Sequence, residues 1–172
     1  MSQPRIPLKP TPLEREVWDY IDVRLQTPKP ELGGLPICPY VKRFRDSIIV
    51  CEPGEGLNDS LALWSKIWNP QIHSAIVLAY PWPARGDDKN GRFTSRSVSR
   101  ICDAWASHLW DKDCSVLVNH PEDPYPVANV WTGFDGAVLV ILQKESLLKR
   151  MRAQLKKTDY YQGWSKKELA AL

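Results

Sequence analysis

Three short apolar runs separated by stretches of helical periodicity constrain this chain more than any other feature. They are residues 47–51 (Ser-Ile-Ile-Val-Cys), 74–80 (Ser-Ala-Ile-Val-Leu-Ala-Tyr) and 114–119 (Cys-Ser-Val-Leu-Val-Asn). Each has the length and the valine and isoleucine content of a strand. The unbroken apolar character of 74–80 predicts a central strand covered on both faces. Between them, Leu61, Trp64, Ile67 and Trp68 recur on one helix face, as do Val98, Ile101, Cys102, Trp105 and Leu109. Asn58 or Asp59 caps the first of these helices, Asn69-Pro70 closes it, and Ser95 caps the second. The pattern is therefore β-α-β-α-β, with right-handed crossovers that make the three strands neighbours in a partly parallel sheet.

Further elements flank this core. Pro12 opens a helix with Thr11 as N-cap, and Leu13, Val17, Tyr20, Ile21 and Leu25 give it one apolar face. Residues 127–131 and 137–142 read as two strands joined by a turn at 132–136, although 137 onward could also run straight into the last helix. That helix covers 144–157, with Leu147, Leu148, Met151 and Leu155 on one side. The expected fold is α+β: helices packed on a mixed sheet of about five strands, ending in a hairpin and a helix. The prolines at 4, 7, 10 and 12 make 1–12 an extended arm, 13–157 form a single α+β domain, and 158–172 form a tail.

At 172 residues the chain can bury a substantial core. It contains no apolar stretch near the roughly 20 residues of a membrane helix. Residues 1–7 lack the apolar centre of a signal peptide. Both observations point to a reducing cytoplasm and no membrane partner, so Cys38, Cys51, Cys102 and Cys114 are read as thiols. A net charge of +3 does not by itself argue for nucleic acid.

Candidate chemistry centres on 33–43, Gly-Gly-Leu-Pro-Ile-Cys-Pro-Tyr-Val-Lys-Arg. Proline favours the first position of a helix, so Cys38 is expected at the N-cap of a short helix running from Pro39 to about Phe44. Backbone N–H groups, the helix dipole, Lys42 and Arg43 then act together to lower the thiol pKa. The same residues also suit a small buried hydrophobe capping a turn. His120 ends the third strand before a proline-rich turn and is the candidate acid–base partner of Cys38. It also suits an exposed turn. Arg92 and Arg96, beside the hydroxyls of Ser95 and Ser97 at a helix start, could anchor an anion. Tyr40 and Tyr125 complete the candidate site, with the polar loop 81–94 as a lid. His108, Cys114 and His120 lack the tight spacing of a zinc site, and no cofactor is indicated.

Cys38-Pro39-Tyr40 resembles the start of the glutaredoxin active site. Val41 stands where dithiol members have their second cysteine, and no strand clearly precedes the motif, so a thioredoxin-type fold is not expected. Gly34-Leu35-Pro36-Ile37-Cys38-Pro39-Tyr40 and Asp123-Pro124-Tyr125-Pro126 resemble an uncharacterised bacterial domain-of-unknown-function family. Its members carry an early helix, Gly-Leu-x-x-Cys-Pro-(Phe/Tyr), and a later Pro-Tyr-Pro segment. The chain departs from it at 81–94 and in the basic last helix. The resemblance implies where a site lies, not what it does.

Two functions follow as expectations. One is a thiol-dependent enzyme acting on an anionic small molecule through Cys38 and His120. The other is a non-catalytic module binding a protein or nucleic acid through exposed tryptophans and the last helix. That helix carries Lys144, Lys149, Arg150, Arg152, Lys156 and Lys157 against Glu145 alone.

Overall fold

The computed structural model describes residues 9–82, 93–123 and 126–170. The chain enters through helix α1 (Pro12–Asp19), which starts on a capping box. Thr11 Oγ1 accepts from the Glu14 N–H at 3.1 Å, and Glu14 Oε2 accepts from the Thr11 N–H at 2.8 Å. The other Glu14 oxygen accepts from the Glu52 N–H at 2.9 Å, so this buried carboxylate also ties the helix to the end of the first strand. The helix then widens into a π-turn, Tyr20–Arg24, which keeps the adjacent Tyr20 and Ile21 both inward.

A loop and a short helix α2 (Val41–Phe44) lead to strand β1 (Ile48–Cys51). Helix α3 (Leu57–Ile67), strand β2 (Ala75–Pro81), helix α4 (Ser95–Leu109) and strand β3 (Cys114–Asn119) follow. Strand β4 (Ala137–Lys144) then passes directly into helix α5 (Glu145–Leu155), and a short helix α6 (Lys166–Ala170) comes last. This is an α+β fold on a mixed sheet, which has four strands among the described residues, in the order β1-β2-β4-β3.

The sheet departs from expectation in two ways. Strands β1 and β2 pair in parallel, but β4 pairs antiparallel with both β2 and β3. Strands β1, β2 and β3 therefore run in one direction, as a β-α-β-α-β pattern requires. β3 is nevertheless not the neighbour of β2, because β4 inserts between them. The expected strand at 127–131 is instead a tight turn. Ala128 and Asn129 both take positive φ (49° and 63°), and Val127 and Val130 exchange backbone hydrogen bonds across them. Two successive left-handed residues reverse the chain at once, which no strand can accommodate.

Each sheet face has its own core. Ile76, Leu78, Tyr80, Val138, Val140 and Leu142 face α3 and α4, where Leu61, Trp64, Val98 and Leu109 meet them. On the other face Val77, Ala79, Ala137 and Leu139 meet Val17, Tyr20, Ile21 and Val41. Burial of each large aliphatic side chain contributes roughly 1.5–3 kcal/mol. Residues 76–80 of β2 are all buried, matching the central position read from their unbroken apolar run.

A third cluster joins Leu32, Ala128, Val130, Leu155 and Tyr160. The Tyr160 hydroxyl donates to the Ile37 carbonyl, and Glu168 accepts from the Ala128 N–H, so residues 158–170 are fastened to the 28–40 loop and to the 127–130 turn. Gly33 makes that loop possible. It has φ +64°, and an added Cβ would lie 2.7 Å from Asp159 Cβ. Most of the expected arm, and loop residues 83–92, lie outside the described residues.

Candidate functional site

The Leu25 carbonyl accepts from the Cys38 N–H at 2.9 Å, which pins the motif to the end of the π-turn. Helix α2 begins only at Val41, with Tyr40 at its N-cap. Cys38 thus stands two residues before the cap, and Pro39 lies in a turn closed by Val41 N–H donating to the Cys38 carbonyl at 3.3 Å. The N–H groups of Tyr40 and Val41 do face the sulfur and favour the thiolate. Burial outweighs them and pushes the thiol pKa up, the reverse of the expected direction. Lys42 and Arg43 are exposed and do not offset this.

Cys38 and Tyr40 line an apolar cavity of about 140 Å³. Its floor is the sheet face of β2 and β4 (Ala75, Val77, Leu139 and Ile141), and its walls are Tyr20 and Ile21 on one side, Leu147 and Met151 on the other. The cavity lies where the π-turn and α5 cover the same sheet face. Its few polar lining residues are Cys38, Ser74, Gln143 and the two tyrosines. Periodicity assigns most of these residues to the core, so nothing in the sequence marks the space between them. The π-turn leaves no trace in the sequence beyond the adjacent apolar residues Tyr20 and Ile21.

His120 is elsewhere. It is 2% exposed, its Nε2 is 2.7 Å from the Phe93 carbonyl, and its Nδ1 accepts from the Glu122 N–H at 3.1 Å. With Nδ1 accepting, the ring proton resides on Nε2 and is donated to Phe93. The Trp82 ring packs edge-on at 4.7 Å. Both nitrogens are therefore engaged by backbone, and the ring fastens the two ends of the loop after β2 to the end of β3. The exposed turn position expected for it is not what the structure has.

His120 lines a second cavity of about 330 Å³ with Ser95, Asn119, Asp123, Trp131 and Thr132. The two cavities touch through one hydrogen bond, from the Tyr20 hydroxyl to the Thr132 carbonyl, which also accepts from Asn119 at 3.2 Å. The structure thus brings Cys38 and Tyr40 together but places His120 beyond that partition. Thr94, not Ser95, is the N-cap of α4. Ser95 donates to the Asp123 carboxylate, so an acidic side chain already lies where an anion was expected. Arg96 is exposed and lines neither cavity. Arg92 and Tyr125 lie outside the described residues.

The tryptophans do not form a surface. Trp64 and Trp68 are buried, and Trp110 alone of the eight is exposed, at 66%. Trp18 and Trp131 are covered by the guanidinium groups of Arg45 and Arg24, at 3.4 and 4.2 Å. Among the described residues, no three histidine, cysteine or carboxylate side chains converge as a metal site would need. Also among them, no helix is long and apolar enough to cross a membrane. No family model, curated protein or solved structure matches the chain.

All four cysteines are free thiols. Burial pushes Cys51 up to about 11, with Glu14, Glu55 and Glu52 adding to it, and pushes Cys102 and Cys114 up to about 12. Burial likewise raises Tyr20 to about 12. As pH rises through about 9, the unfolded chain loses its thiol protons first while the folded chain retains them. Stability is therefore fully present below pH 9 and falls from there toward pH 12, at about 1.4 kcal/mol per pH unit for each thiol ionised only in the unfolded chain. Urea unfolding at pH 7.5, 9 and 10.5 should show a steady decline above 9. A flat profile would mean these groups are hydrated in the folded state.

Proposed function

We propose that this chain is a small-molecule binding module whose ligand enters the apolar cavity beside Cys38. The observation that carries this reading is the cavity itself. It lies between two helical segments on one sheet face, with a mostly apolar lining and a few polar residues, as small-molecule sites do. Its volume is close to that of an engineered cavity of about 150 Å³ known to take benzene. The ligand's apolar body is accordingly about six carbons. Cys38 contributes a neutral, polarisable wall that tolerates varied apolar shapes.

A thiol-dependent reaction on an anion draws less support. Such chemistry needs a base within reach of the sulfur, and the His120 ring nitrogens are committed to backbone on the far side of the Tyr20–Thr132 bond.

Hexanol and benzene should raise the melting temperature in a saturable way, as a ligand of the folded state must. Ala75→Leu, which grows a side chain into the same space, should abolish the response while leaving the fold intact. No response in the parent protein, or an undiminished response in Ala75→Leu, overturns the reading.

A further inference from the structure

Beside the apolar cavity lies a smaller one of about 130 Å³, and the two share Phe44, Ser74 and Leu147 in their walls. Its character is opposite. Lys144 and Arg150 line it together with Gln71, Ser47 and His73, and no carboxylate is among its lining residues.

The Lys144 ammonium is half-buried and donates one hydrogen bond, 2.7 Å, to the Pro70 carbonyl. Two of its three donors remain for another acceptor. Among the described residues Arg150 forms no ion pair, whereas the neighbouring Lys149 is committed to Glu145 at 3.3 Å. Asp113, just before β3, accepts from the N–H and hydroxyl of Ser146 at 2.7 and 2.6 Å; its charge also acts on Lys144 and Lys149, but it does not line the cavity. His73 presents a ring whose Nδ1 already accepts from the Asn69 N–H at 3.2 Å. It can therefore only donate from Nε2. Lysine and arginine thus offer donors and positive charge, this histidine offers one neutral donor, and the adjoining cavity offers hydrocarbon.

We propose that the two cavities form one site for an amphipathic organic anion. The ligand class is a monocarboxylate whose body of about six carbons fills the space beside Cys38 and whose carboxylate lies between Lys144 and Arg150. Arginine suits this position because its planar fork matches a carboxylate in two parallel hydrogen bonds, while lysine adds a compact charge. The volume of about 140 Å³ matches a body of about a ring's size and not a long acyl chain. The inference rests on the cavity being a ligand site. It adds the headgroup and moves the anion anchor from the start of α4 to β4 and α5.

Hexanoate, hexanol and acetate, titrated by calorimetry into the full chain at low and high salt, test it. Hexanoate should bind about tenfold more tightly than hexanol, acetate should bind far more weakly, and salt should erode the hexanoate advantage. Arg150→Gln changes an exposed side chain and should leave the melting temperature unchanged. In this variant hexanoate should fall to the affinity of hexanol, and hexanol binding should be unaltered. Equal binding of hexanoate and hexanol in the parent, or a preference that survives Arg150→Gln, overturns the anion site and leaves the apolar cavity standing. Failure of hexanol and hexanoate alike overturns the cavity reading, and this inference with it.

Discussion

Leu78→Ala is expected to destabilise the protein by about 2–5 kcal/mol, the cost of removing a fully buried leucine from a core that cannot collapse around the gap. Leu78 is 0% exposed in β2, opposite Cys51 on one neighbouring strand and Val140 on the other. Its side chain packs in the cluster beneath α3 and α4. The hydrogen-bonded ladders on both sides hold the backbone in place, so relaxation is limited and the upper half of the range applies. At this chain length each kcal/mol moves the melting temperature by about 2–4 °C. Val23→Ala, at a residue 65% exposed, should change stability by less than about 0.5 kcal/mol. Urea unfolding of both variants makes the comparison. A loss at Leu78 no larger than at Val23 would mean that β2 is not a central, buried strand.

His120→Ala is expected to cost about 3 kcal/mol and to leave ligand binding beside Cys38 unchanged. Removing the ring takes one donor away from the half-buried Phe93 carbonyl and the acceptor away from the N–H of the exposed Glu122, and each such hydrogen bond contributes about 0.5–1.5 kcal/mol. The ring's volume and the Trp82 edge contact are lost with it. His120→Gln restores a donor at nearly the same reach and should recover part of the loss. Stability and hexanol affinity, measured on the same samples, separate structure from chemistry. Abolished binding at unchanged stability would return His120 to the site and contradict the geometry.

This second prediction reverses what the sequence alone suggests, for a definable physical reason. A histidine at the end of a strand before prolines looks exposed. Trp82 and Phe93, at the two ends of the preceding loop, enclose it, and those contacts are non-local. Local signals fare better. The capping box at Thr11 and Glu14, the apolar faces of α3 and α4, and the buried run of β2 are legible because each depends on residues a few positions apart. The place of β4 is not, because an antiparallel insertion between β2 and β3 depends on tertiary packing and not on strand propensity. Residues 127–131 look like a strand because valines flank the turn, while the two positive φ angles at Ala128 and Asn129 leave no signature without glycine.

The Cys38 motif shows the same division. Its backbone donors follow from the Cys-Pro step itself, but the sign of the thiol shift is set by desolvation, which depends on how Tyr20, Leu139 and α5 close around it. The cavity residues themselves are hidden as core. A wall residue and a packed residue have the same hydrophobicity and spacing, and differ only in whether a neighbour fills the space.

The central claim is that this space takes a ligand, and Met151 reports on it directly. The chain has two methionines, Met1 and Met151, and the second lines the cavity wall. A ¹³C-methyl-methionine spectrum therefore contains two resonances. Titration with hexanol should move the Met151 methyl signal along a saturable curve, and Ala75→Leu should remove the movement. A Met151 signal that stays in place up to the solubility limit of hexanol would contradict the account.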